Sequence, residues 1–81
     1  MRILIIEDEK KMASFLERGL KEEHYTVDIA YDGEKGWEYA MTNEYDLLIL
    51  DWMLPKMSGV ELCSKFRSEG KTVPVLILTA K

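Results

Sequence analysis

Apolar residues along the chain fall into short blocks with two different rhythms. Ile3-Leu4-Ile5-Ile6 is a continuous aliphatic run rich in β-branched residues, which predicts a buried strand. From about Lys10 to Glu23 the apolar positions are Met12, Phe15, Leu16 and Leu20, the spacing of one helix face. Tyr25 to Ala30 alternates, with Tyr25, Val27 and Ile29 set against Thr26 and Asp28, so it predicts a half-exposed strand. Asp32-Gly33 opens a second helix whose apolar stripe is Trp37, Ala40 and Met41. Leu47-Leu48-Ile49-Leu50 predicts another buried strand. Ser58-Gly59-Val60-Glu61 has the Ser-x-x-Glu spacing of a capping box. It starts a helix that turns Leu62, Cys63 and Phe66 inward and stops at Gly70. Val73 to Leu78 predicts a last strand, with Pro74 near its start.

The predicted order is β-α-β-α-β-α-β. Strands that are apolar on both faces and separated by helices imply a parallel sheet covered on both sides. Right-handed crossovers then lead to a doubly wound α/β layout.

Composition narrows the function. With 81 residues the chain is at most one domain, and its core is thin. Apolar residues at 47 % and charged residues at 32 % argue against disorder. Fifteen acids against eleven bases give a net charge of −4, the wrong sign for a compact nucleic-acid binder. The single cysteine, Cys63, rules out an internal disulfide and a cysteine zinc site. No apolar run is long enough to span a membrane, and the N-terminus lacks the flanks of a signal peptide. A reducing, cytoplasmic location is the expectation.

Candidate chemistry comes from how the aliphatic runs end. Ile3–Ile6 runs into Glu7-Asp8, Leu47–Leu50 into Asp51, and Val75–Leu78 into Thr79. In a parallel sheet these ends share one edge, where ligands of open α/β sheets bind. A lone Asp after a strand is commonly a turn residue or a helix cap. Four oxygen-bearing groups at the ends of three aliphatic strands form a pattern that caps do not explain. Clustered carboxylates repel and raise one another's pKa, and a divalent cation relieves that. All-oxygen ligation suits Mg²⁺ or Mn²⁺. Such a metal also takes phosphoryl oxygens, leaving Asp51 as nucleophile and Thr79 as a hydrogen-bonding hydroxyl.

Three segments carry a resemblance: Arg2–Glu9 (RILIIEDE), Asp46–Gly59 (DLLILDWMLPKMSG) and Val73–Lys81 (VPVLILTAK). Together they resemble the receiver domain of two-component response regulators, most of all the OmpR/PhoB-type transcription regulators. The resemblance implies a flavodoxin-like (CheY-like) doubly wound parallel sheet, here with strand order 2-1-3-4. It implies that Asp51 is the phosphoacceptor, phosphorylated by a sensor histidine kinase or a small phosphodonor. Asp8 would ligate Mg²⁺ directly and Glu7 mainly through water. Asp51 and the backbone carbonyl of Met53 would complete the protein ligands, and Thr79 would be the switch hydroxyl. A receiver of this family runs to roughly 120 residues. Residues 1–81 therefore correspond to its N-terminal part, without helix 4, strand 5, helix 5 and the DNA-binding domain through which the parent would contact DNA. The lysine after strand 5 is absent with them, so impaired phosphorylation of this fragment is expected.

The last strand would then be a sheet edge, and the face over the first and third strands would lack a covering helix. Self-association through that edge, or by domain swapping, is the expected outcome. The alternative function is a non-phosphorylated interaction or oligomerisation module with a receiver-like fold. Two enzyme or ligand classes fit less well. A haloacid-dehalogenase-like phosphatase needs a second Asp where Met53 stands. A nucleotide or flavin site needs a Gly- or Ser/Thr-rich loop where Glu7-Asp8-Glu9 stands. The chain is expected not to be an enzyme.

Overall fold

A computed structural model describes residues 1–78. Thr79 lies outside the described residues. The elements are β1 (Arg2–Ile6), α1 (Lys10–Glu22), β2 (Thr26–Ala30), α2 (Gly33–Thr42), β3 (Leu47–Asp51), β4 (Met53–Leu54), β5 (Met57–Ser58), α3 (Gly59–Ser68) and β6 (Val75–Leu78). Four strands form a parallel sheet in the order β2-β1-β3-β6. This is the doubly wound α/β fold that the aliphatic runs predict, with β6 as the fourth strand of the sheet.

The aliphatic runs form strands because both faces of β1 and β3 are covered. Leu4, Ile6, Leu48 and Leu50 point to one side and meet Leu62 and Phe66 of α3 and Ala40 of α2. Ile3, Ile5 and Ile49 point to the other side, where Leu16 and Leu20 of α1 pack. The alternation of side chains along a strand divides each run between the two layers.

Two helix starts follow local rules. Asp32 Oδ1 accepts the Lys35 N–H at 2.7 Å, capping α2. At α3, Ser58 Oγ accepts the Glu61 N–H at 3.0 Å while Glu61 Oε1 accepts the Ser58 N–H at 3.2 Å. That reciprocal pair is the capping box expected from Ser-x-x-Glu. Gly70, with φ 82°, follows the C-cap of α3 in the left-handed region.

The structure departs from the hydrophobic pattern in three places. The expected apolar stripe of α1 is rotated: Ala13 is buried and Leu16 and Leu20 are half-buried, while Met12 is exposed and Phe15 is 68 % exposed. Leu16 and Leu20 are the α1 side chains that pack on the sheet. Second, the face over β1 and β3 is not bare. Ile3, Ile5 and Ile49 are buried, because Leu16, Leu20, Tyr25, Leu47 and Leu78 close around them. On the sheet itself, Leu76 of the edge strand is 51 % exposed. Third, Met53–Leu54 and Met57–Ser58 form a small antiparallel hairpin. The alternation of so short a segment gives no strand signal.

At the amino ends of β1 and β3, polar side chains close the sheet. Arg2 Nη2 lies 3.0 Å from Asp28 Oδ2, and the Tyr45 hydroxyl donates to the same oxygen at 2.7 Å. The Arg2 guanidinium also sits 5.0 Å from the Tyr45 ring centroid, in cation–π range. Among the described residues no helix is long and apolar enough to cross a membrane.

Candidate functional site

The carboxyl ends of β1 and β3 are neighbours in the sheet, with Ile6 opposite Leu50. The chain leaves β1 into Glu7-Asp8, and β3 ends on Asp51. One carboxylate oxygen from each of Glu7, Asp8 and Asp51 lies within 4.8 Å of the others. The three residues differ in exposure. Glu7 is buried at 6 % exposure, Asp51 is half-buried and Asp8 is exposed. Glu7 Oε2 accepts the Glu9 N–H at 2.9 Å, which fixes its side chain at the start of α1.

Electrostatics follow from this crowding. Burial pushes the Glu7 carboxyl above the ordinary Glu range, and Asp51 and Asp8 push it further up, against the hydrogen bond from Glu9. Burial likewise raises Asp51, with Asp8 adding to the shift and the backbone amides of Met53 and Trp52 opposing it. A cluster that resists holding its full negative charge is suited to a hard cation. Its donors are all oxygens, which fits Mg²⁺ or Mn²⁺ and does not fit a thiol- or imidazole-seeking metal.

The segment after Asp51 is held closely. Gly59 N–H donates to the Trp52 carbonyl at 2.7 Å, while Trp52 N–H donates to the Leu78 carbonyl at 2.8 Å. A Cβ on Gly59 would overlap the Asp51 carbonyl oxygen. Gly59 thus allows the N-terminus of α3 to sit against the end of β3. Its sequence signals were its place after the capping Ser58, which marks a helix start, and its place at the end of the Asp46–Gly59 segment that carries the family resemblance.

Glu7, Asp8 and Asp51 are therefore brought together as expected. Met53 opens β4 two residues beyond Asp51, and its side chain is 69 % exposed, directed away from the core. Thr79 falls outside the described residues, so its place beside the cluster rests on sequence alone. The other conspicuous side chains lie elsewhere. His24 is exposed in the α1–β2 turn with φ 70°, and Cys63 is half-buried against the α2–α3 core.

A family profile described as the response regulator receiver domain matches residues 3–81. The chain belongs to the response regulator receiver domain family. Among curated relatives it is 51 % identical over 81 residues to protein RcaC of Microchaete diplosiphon, spanning all of this chain and 12 % of that one. It is 50 % identical over 80 residues to the response regulator ArlR of Staphylococcus aureus, covering 99 % of this chain and 36 % of the relative. The chain thus spans about a third of the length of ArlR. Among solved structures, the receiver domain of a Francisella response regulator superposes with a TM-score of 0.94 at 33 % identity, over 98 % of this chain and 65 % of that one. The Thermotoga maritima response regulator TrrA, solved in complex with Mg²⁺–BeF, gives 0.93 at 36 % identity, over 99 % and 70 %. This receiver shares their CheY-like fold, with its acidic cluster at the carboxyl edge of the sheet.

Proposed function

We propose that these residues form the phosphoacceptor site of a response regulator, with Asp51 phosphorylated in a Mg²⁺-dependent reaction by a sensor histidine kinase. The observation that carries this is the meeting of the Glu7, Asp8 and Asp51 carboxylates at the carboxyl edge of the sheet. The Mg²⁺–BeF complex of TrrA supports it by analogy. A carboxylate oxygen of Asp51 attacks phosphorus, the P–O bond forms, and the P–N bond to the donor imidazole breaks as the imidazole leaves. The position of Asp51 at the end of β3, beside the buried Glu7, places the nucleophile at the sheet edge. Glu7, Asp8, Asp51 and the Met53 carbonyl would hold the metal, which supplies charge neutralisation between carboxylates and phosphoryl oxygens. Thr79 would then hydrogen-bond a phosphoryl oxygen.

In this scheme the chain is a phosphoacceptor and not an enzyme in its own right. It is the N-terminal part of a receiver, and a separate DNA-binding domain of a cytoplasmic parent reads out the phosphorylation. The OmpR/PhoB-type resemblance of the sequence supports that output, and the chain covers 36 % of the response regulator ArlR. The 81 residues by themselves are proposed to accept phosphate less well than the parent, because the resemblance places the lysine that pairs with the phosphoryl group after a strand 5 beyond them.

The test is intact mass after incubation with acetyl phosphate, with and without Mg²⁺, for the parent regulator and for the 81-residue chain. The parent is expected to gain one phosphoryl group only with Mg²⁺, and Asp51→Ala to gain none. Labelling that survives Asp51→Ala would overturn the assignment. Equal labelling of chain and parent would overturn the impairment alone.

A further inference from the structure

Between the first turn of α2, the β4–β5 turn and α3 lies an open cavity of about 680 Å³, within the size range of small-molecule sites. Trp37, Met57 and the exposed Tyr31 contribute apolar walls, with the buried Leu62 behind them. None of Glu7, Asp8 and Asp51 lines it, so it is distinct from the acidic cluster.

Two cations face this cavity. Lys56 and Lys65 both line it, and neither forms an ion pair among the described residues. Lys65 Nζ lies 5.4 Å from the Trp37 ring centroid. That ring is fixed in turn by stacking on Phe66, with centroids 5.5 Å apart and planes 3° from parallel. Lys65 is thus held over a rigid apolar floor.

Lys56 is placed at a conformational cost. Its φ is 71°, a region that residues with a side chain seldom occupy. Pro55 before it completes the pattern of a type II turn, where glycine is the low-strain residue. A lysine in that position keeps an ammonium at the cavity wall, and backbone strain of this kind gathers at sites where the side chain has a task. Two acids also line the cavity, Asp32 and Glu34. Asp32 is committed to the Lys35 backbone as a helix cap, and Glu34 is exposed on the first turn of α2.

We propose that this cavity binds a small organic anion, a carboxylate on a compact apolar body. The ammonium groups of Lys56 and Lys65 pair with its charge. Tyr31, Trp37 and Met57 contact its apolar part. Charge and shape are then read separately, which gives the site a preference over neutral molecules of the same outline.

The test is a titration of the ¹⁵N-labelled chain with 1-naphthoate, followed by amide chemical shifts, beside the neutral isostere 1-naphthalenemethanol. Saturable shifts are expected at the start of α2, at residues 56–57 and along α3, with the neutral probe roughly tenfold weaker. Lys56→Gly suits the left-handed backbone, and Lys65→Met keeps the apolar stem, so both variants should fold. Together they should weaken naphthoate by at least about tenfold. Unchanged affinity in the double variant, equal affinity for the neutral probe, shifts centred on Phe15 and Leu76, or no saturable shifts would each overturn the proposal.

Discussion

Gly59 lies against Asp51 so closely that a single Cβ on the glycine would overlap the aspartate's carbonyl oxygen. The start of α3 is therefore built directly onto the end of β3. Gly59→Ala must displace backbone, and overpacking of this kind costs about 1–3 kcal/mol. It is expected to lower the unfolding midpoint and to reduce Mg²⁺-dependent labelling of Asp51. Ser58→Ala removes the neighbouring cap at a cost of about 1 kcal/mol and should leave labelling intact. Urea unfolding and phosphorylation of the two variants separate the effects, and equal loss of labelling in both would contradict the link.

Crowded carboxylates make the metal-free site a source of instability. Glu7 and Asp51 both have raised pKa values in the fold, burial being the main cause. The contribution of their protonated forms is full below the ordinary carboxylate range and is lost as pH rises through the raised values. Metal-free chain is therefore expected to be less stable at pH 7 than near the ordinary range of these groups, as far as this pair is concerned. Asp51→Asn should stabilise the metal-free chain at pH 7 by on the order of 1 kcal/mol, about 4–8 °C in Tm. Added Mg²⁺ should raise the Tm of the unsubstituted chain more than that of the variant. Calorimetry with and without Mg²⁺ checks this, and a lower Tm for metal-free Asp51→Asn would refute it.

Tyr45 and Asp28 shift each other's titration in opposite directions at the other end of the sheet. The Tyr45 hydrogen bond, with help from Arg2, holds Asp28 below the ordinary Asp range despite burial. Its contribution to stability is present above that range and is lost as pH falls through the lowered value. Burial and the same carboxylate push Tyr45 from 10.0 up to about 12. Its contribution holds below pH 10 and is lost between about 10 and 12. Tyr45→Phe should cost about 1.5–3 kcal/mol at pH 7, the range for a hydrogen bond to a charged group. The ultraviolet titration of the chain's four tyrosines should lose its latest step in that variant.

β6 has one strand neighbour, β3, among the described residues, and Leu76 on it is 51 % exposed. An apolar edge of this kind invites pairing with another strand. The 81-residue chain alone is expected to self-associate with rising concentration. Leu76→Lys, which places a charge on the edge, should shift it toward monomer. Sedimentation velocity across a concentration series decides, and a folded monomer at every concentration would rule out edge pairing.

The elements of the main sheet were legible because each is set by local rules. A run of aliphatics seeks burial on two faces, and Ser58 with Glu61 satisfies the first amides of a helix wherever that helix lies. The acidic cluster was legible for a related reason: parallel strands align their carboxyl ends, so residues after Ile6 and Leu50 must approach. The hairpin at Met53–Ser58 was not, since two-residue strands have no periodicity to read.

Sequence by itself thus determined the four strands of the main sheet, the helices, the parallel direction of the strands and the identity of the meeting carboxylates, while the strand order came through the family resemblance. Only the tertiary structure decided that Phe15 stands out while Ala13 goes in, that Gly59 touches Asp51, and that Arg2, Asp28 and Tyr45 share one oxygen. The first set depends on neighbours along the chain and on strand polarity. The second depends on how far apart packed elements sit and how each is turned about its axis. Those quantities are settled by side-chain volumes from distant parts of the chain, and no local pattern records them.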